Sequence, residues 1–165
     1  MENITNVWGL TFLLSMTPVS EIRGSIIYAL STLDHTFLNI AMAYLISVIG
    51  NFLPAPFVML IVRPLIKWMK KIKLFSGIAH WLEERTERKA GKLSKASAWA
   101  LMIFVAIPFP TTGAWTGAMI ADLLDIRFKY ALPAILLGIM ISGLIMTLLM
   151  TGILNFGAFG EWLMR

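Results

Sequence analysis

The sequence contains no cysteine, which excludes disulfides and thiolate metal sites and leaves the redox compartment unmarked. Charge is scarce: 14% of the 165 residues are Asp, Glu, Lys or Arg, against about a quarter in ordinary soluble domains. No phosphate-binding glycine loop, nucleophile elbow or zinc motif is present. The two histidines, His35 and His80, lie in separate loops without a partnered ligand pattern. No catalytic residue, metal site or cofactor is therefore expected, and the chain does not read as an enzyme. Lys and Arg are also missing before Arg23: the start, MENITNVWGL, carries only Glu2. It lacks the basic opening and cleavage site of a secretory signal, so the first apolar stretch is expected to stay in the mature chain.

What is abundant is apolar surface. Hydrophobic residues make up 58% of the chain, the mean hydropathy is +0.79, and a water-soluble fold would have too little polar surface to cover itself. The fold class this implies is an all-α integral membrane protein, with residues 1–165 as one membrane domain. Four hydrophobic stretches organise it. Residues 37–63 and 130–155 are long enough to cross a hydrocarbon core of roughly 30 Å. Residues 7–31 are interrupted by TPVSEIRG (Thr17 to Gly24) and residues 98–124 by PFPTTG (Pro108 to Gly113).

The arms flanking each interruption are about 10 to 12 residues long, enough for half a bilayer. Both stretches are read as re-entrant helical hairpins turning at Pro18 and Gly24, and at Pro108 and Pro110. Irregular backbone at that depth is tolerated only where protein or a cavity surrounds it. The competing reading is a kinked full span in each case, giving a four-helix bundle. An offset of 91 residues lays Leu33-Asp34-x-x-Phe37 on Leu124-Asp125-x-x-Phe128. It also lays 7–31 on 98–124 and 37–63 on 130–155. Repeat 1 (7–63) and repeat 2 (98–155) would then have inverted topology, with the site where the broken helices meet.

Ten of the fourteen Lys and Arg fall between Arg63 and Lys95. Beside long apolar runs such a block marks the cytoplasmic face and anionic lipid rather than nucleic acid. The linker 64–97 is accordingly placed in the cytoplasm, and both termini outside, in a multi-pass protein of a prokaryotic inner membrane. Within it, residues 64–75 space Leu65, Trp68, Met69, Ile72 and Phe75 against four lysines, as for a helix at the lipid surface. Residues 78–95 read as a solvated helix.

Glu21 and Arg23 are the sharpest feature, because one charge at the bilayer centre costs about 2.5–3.5 kcal/mol on insertion scales. Either they pair to hold the turn, or they mark a transport path. In the second case the start of the second arm and the Arg23 fork would bind an anion. Glu21, once desolvated, would exchange a proton for substrate. In the second hairpin Thr111, Thr112 and Thr116 supply hydroxyls, Gly113 allows close backbone approach, and Trp115 offers a face to a lipid-like substrate. A well-packed turn accounts for the same residues. Asn51 is read as a polar residue that satisfies a hairpin turn. Asp34, Asp122 and Asp125 fall near interfaces, where solvation explains them.

The segments TPVSEIRG (17–24), IGNFLPAPF (49–57) and IPFPTTGAWTGAMIADLL (107–124) resemble the small multidrug export protein family of bacteria and archaea. That family typically follows its P-x-x-E-x-R-G with Ala-Ile-Pro. Here Ser25-Ile26-Ile27 follow, so the second arm lacks that proline and is expected to be more regularly helical. The family is in turn distantly similar to the DedA superfamily, whose paired re-entrant hairpins carry intramembrane acids and arginines. That superfamily is linked to lipid transport, including undecaprenyl phosphate recycling. The resemblance implies roles for Glu21, Arg23, Pro108, Pro110, Thr112, Gly113 and Trp115.

The function expected from residues and resemblance together is a transporter or flippase for an amphiphilic, anionic, lipid-phosphate-like substrate, with protons as coupling partners. A proton-coupled exporter of cationic drugs and a non-transporting structural or membrane-remodelling protein are the alternatives. Membrane lipids are expected partners. Two copies would readily enlarge so small a bundle, but nothing in the sequence fixes the number.

Overall fold

The computed structural model describes residues 4–70, 92–109 and 112–152. Every regular element among them is a helix. α1 (Ile4–Met16) and α2 (Glu21–Thr32) are joined by a four-residue turn, and α3 (Phe37–Phe52) and α4 (Pro54–Lys70) follow. After the linker come α5 (Lys92–Ala106), α6 (Ala114–Leu123) and α7 (Phe128–Met150). The breaks fall where the sequence placed them. Pro18 lies in the exposed turn between α1 and α2, and Pro108 follows the end of α5. α2 runs unbroken through Ser25-Ile26-Ile27, as expected without the family's proline.

Two helical segments among the described residues are long and apolar enough to cross a membrane, Phe37–Val62 and Phe128–Met150. Fewer than half of the residues in their most apolar windows are buried, 44% and 39%. The core helix of a soluble protein would be mostly covered. Here Leu45, Ile49, Leu60, Ile61, Leu137 and Leu144 stand on the outside, which suits hydrocarbon and not water. The chain is a membrane protein.

Within the first segment the hydrogen-bond ladder is interrupted just after Leu53, whose own amide still donates to the Ile49 carbonyl and whose backbone stays right-handed helical (φ −57°, ψ −40°). Pro54 has no N–H to offer the Gly50 carbonyl, and it opens α4 at a position where a missing donor costs little. α4 then runs past Arg63 and Pro64 to Lys70, seven residues beyond the expected end of the span. The surface helix expected over 64–75 thus begins as a direct continuation of α4. Leu, Ile, Lys and Met all sustain a helix there. Residues 71–91, with most of the solvated helix expected over 78–95, lie outside the described residues. α5 starts earlier than expected, at Lys92. α7 ends at Met150, short of 155, with Gly152 in the left-handed region (φ +74°) that glycine enters without a side-chain clash.

The packing fixes how the helices run. Near the middle of Phe37–Val62, a β-carbon on Gly50 would collide with Ser15 Oγ and lie 2.9 Å from the Phe12 carbonyl oxygen. Near the middle of Phe128–Met150, one on Gly138 would lie 2.8 Å from the Met102 carbonyl oxygen and 2.6 Å from Val105 Cβ. Only glycine lets a long helix press this closely on the backbone of its neighbour. In both places the last turn of a short helix meets the middle of a long one. Ala98 and Trp99 share a groove with Tyr130 and Ala134, so α5 and α7 run parallel and begin at the same end of the bundle. α1 packs on α3, and α4 packs on α6.

Around these crossings the core is built of small and branched residues, including Ile22, Ile26, Ala29, Ala43, Ala118, Ile135 and Ile139. Tyr44 Oη donates to the Met140 carbonyl at 3.0 Å, tying α3 to α7. Both interrupted regions therefore lie level with the midpoints of the long helices.

Candidate functional site

The two interruptions meet. Glu21 opens α2 with φ +50°, a left-handed conformation that costs a side-chain-bearing residue about 1 kcal/mol or more. This backbone turn sends its carboxylate across to the start of α6. Glu21 is 6% exposed, and its carboxylate fills the space that a β-carbon on Gly113 would occupy. The Trp115 amide, in the first turn of α6, hydrogen-bonds to it. A negative side chain from one half thus sits on the amino-terminal end of a helix in the other, where unpaired N–H groups favour an anion.

Arg23 follows on the same turn of α2. One terminal nitrogen, Nη2, donates to the Thr112 carbonyl oxygen and stands 3.6 Å from Glu21 Oε2. The pairing of Glu21 with Arg23, one of the two outcomes open from the sequence, is present. Each residue also spends its polar capacity on the segment 112–115, and Arg23 Nε is buried without an acceptor. Trp115 returns the contact, its indole Nε1 donating to the Met16 carbonyl at 3.0 Å. Met16 ends α1, so that carbonyl has no helical donor. The polar edge of Trp115 is committed to the first hairpin and only the ring face remains for a ligand.

The remaining expected residues divide by position. Thr112 closes its own turn: its hydroxyl lies 2.8 Å from the Ile107 carbonyl and 2.9 Å from the Phe109 carbonyl, and accepts from the Phe109 amide. The Thr116 hydroxyl accepts the Gly113 amide at 2.9 Å, capping α6. These two threonines hold the backbone that Glu21 and Arg23 grip. Thr111 and Pro110 lie outside the described residues. Gly24 is half-buried within α2 rather than at its start. Asn51 is 1% exposed beside Gly50, and its Oδ1 has no donor. Ser47, one turn earlier, and Ser142 on α7 are equally buried and equally without a partner.

Asp122 corrects the sequence reading. It was expected to be solvated near an interface, but it is 5% exposed. The reason lies in the spacing Ala114, Ala118, Ala121, Asp122, which puts it on the covered face of α6. That small-residue stripe was legible and is the signal that would have found it. Asp34 and Asp125, by contrast, are exposed. Ser47, Ser142 and the Met16 carbonyl carried no signal in a chain whose two faces are both apolar.

The family described as "Putative small multi-drug export protein" matches residues 21–145, from the first residue of the site to well within α7. No curated protein and no solved structure matches the chain.

Proposed function

Because this chain belongs to the small multi-drug export protein family, we propose that it moves an amphiphilic anion across the membrane, coupled to protonation of Glu21. The observation that carries this reading is the Glu21 carboxylate seated at the start of α6 beside Arg23. An anionic headgroup needs the same partners: helix-terminal amides and a guanidinium. In the closed arrangement Glu21 serves as the protein's own anion there. Protonating it removes its claim on the amides while Arg23 keeps its charge, and a phosphate takes its place. Departure of the substrate and loss of the proton restore the pair.

The depth of this site is inferred from the helix crossings. Each interrupted region lies level with the middle of a long helix, α5 begins at the same end as α7, and we take α1 and α3 to be related in the same way. α1 and α2 then act as a hairpin re-entering from one face. α5 and α6 act as a second from the face of the basic linker. In that arrangement the halves have inverted topology, with the linker cytoplasmic by its positive charge and a site formed where the broken helices meet. Such a site calls for an amphiphile, whose tail stays in hydrocarbon while its headgroup crosses. We read the protein as a transporter of lipid-phosphate-like molecules and not as an enzyme.

A second reading, export of cationic drugs against protons, is favoured by the family's description and by one buried acid, Glu21. Arg23 at 3.6 Å weighs against it, since a cation displacing the proton would face a fixed positive charge. Liposome reconstitution separates the two. Fluorescent lipid phosphates and cationic dyes are offered with and without a pH gradient. Gradient-dependent movement of the lipid phosphate, lost in Glu21→Gln and Arg23→Ala, is the expected result. Movement of the dye alone would select drug export. Movement of neither, or movement indifferent to both substitutions, would remove the transport role of this pair.

A further inference from the structure

Away from the junction, α5 and α7 leave an open groove of about 140 Å³ on the outer surface, lined by Ala98, Trp99, Met102, Tyr130, Ala134 and Leu137. Its lining is almost wholly apolar, and Trp99 is 65% exposed beside it. Because the two helices are parallel, the groove has a defined polar end, the one at which both begin. There Lys129 lies over the Tyr130 ring, its Nζ 5.1 Å from the centroid, and Arg127, two residues earlier, is exposed at the N-cap of α7. α5 adds Lys92 and Lys95 to the same end in its first turn. Tyr and Trp at the start of an apolar helix, with Lys and Arg just outside, are the pattern of a membrane–water boundary.

We propose that this groove binds one anionic glycerophospholipid from the leaflet facing the basic linker. Its acyl chain lies along Ala98, Met102, Ala134 and Leu137, and its phosphate meets Lys129 and Arg127. The argument is charge complementarity at one end and hydrocarbon complementarity along the rest. No acidic residue stands among the six lining residues, and the one exposed acid of the loop before α7, Asp125, is outnumbered there by Arg127 and Lys129. A zwitterionic lipid gains the groove but not the headgroup contact, and near a membrane surface each Lys or Arg contributes to attracting anionic lipid. This inference does not rest on the transport reading: a resident lipid here would be bound whether or not Glu21 and Arg23 move a substrate.

The test uses Trp99 as its own reporter. The full-length protein is placed in phosphatidylcholine vesicles containing increasing fractions of phosphatidylglycerol or phosphatidylcholine brominated in the acyl chain. Bromine quenches indole on contact, and the difference between wild type and Trp99→Phe isolates Trp99 from the other tryptophans. Half-quenching is expected at an about fivefold lower fraction of the anionic lipid. The preference should fall to near parity in Arg127→Gln/Lys129→Gln, two exposed positions whose replacement spares the fold. Ala98→Leu, which fills the groove, should weaken quenching by both lipids. Equal quenching by both lipids in the wild type would overturn the proposal, as would a preference that survives the double substitution. Absence of any Trp99 quenching, as when a second copy of this chain covers the groove, would overturn it too.

Discussion

Glu21 and Gly113 interlock across the two halves of the chain: the carboxylate of one occupies the volume that a side chain on the other would need. The contact explains a glycine whose backbone is extended (φ −161°) and so within reach of any residue. Its smallness, not its flexibility, is what the site uses.

Replacing Gly113 by Ala is therefore expected to expel the carboxylate from the start of α6. In the wild-type background the cost should be about 2–3 kcal/mol, in the range for breaking a buried polar contact. In an Glu21→Ala background the same change should cost under about 0.5 kcal/mol, because the clash has gone. The double-mutant cycle, followed by thermal unfolding in detergent, measures the coupling directly.

The ion pair makes a separate prediction. Arg23→Ala leaves a buried carboxylate without its charge partner, and such truncations cost about 3–5 kcal/mol when burial is complete. Replacing both, as Glu21→Leu/Arg23→Met, should recover much of that stability while leaving lipid-phosphate transport at background. A double variant that is both stable and fully active would make the pair structural only.

The absence of cysteine gives a clean background for topology. Single cysteines at Asn6 and Asp34 are expected to react with a membrane-impermeant maleimide from one side of the membrane. Cysteines at Lys92 and Asp125 should react from the opposite side. Labelling of positions 6 and 34 from opposite sides would turn the first hairpin into a full crossing.

Packing at the helix midpoints is testable by size. Gly138→Val drives methyl groups into Val105 and the Met102 carbonyl and should cost a few kcal/mol, as overpacking does. Gly9→Ala, at a position with nothing within 4 Å of the added carbon, should be neutral or stabilising by about 0.5–1 kcal/mol. Relative melting temperatures of the two variants suffice to check it.

The sequence disclosed the breaks and the charges because both are violations of a simple rule. Pro18, Pro108 and Gly113 stand where an apolar helix should continue, and Glu21 and Arg23 stand where hydrocarbon should exclude them. It did not disclose who meets whom. Glu21 and Arg23 suggested a local pair, yet both reach residues about 90 positions away, at Thr112, Gly113 and Trp115. Nor did it separate core from lipid: Ile135 is buried and Leu137 exposed, two residues apart and equally apolar. In water the polar face of a helix reports its outside; in a bilayer that contrast vanishes. Only small residues retain a trace of it, and Asp122 was misplaced for want of reading them.

Among the described residues, the polar ties between the two elbows are Arg23 to Thr112, Trp115 to Met16, and Glu21 to the first turn of α6. Each contributes on the order of 1 kcal/mol net, somewhat more where a charge takes part. On the transport reading, a latch of that strength holds shut at rest yet yields to thermal motion. Since every strand of it joins one hairpin to the other, whatever loosens a single elbow slackens its counterpart in the same event.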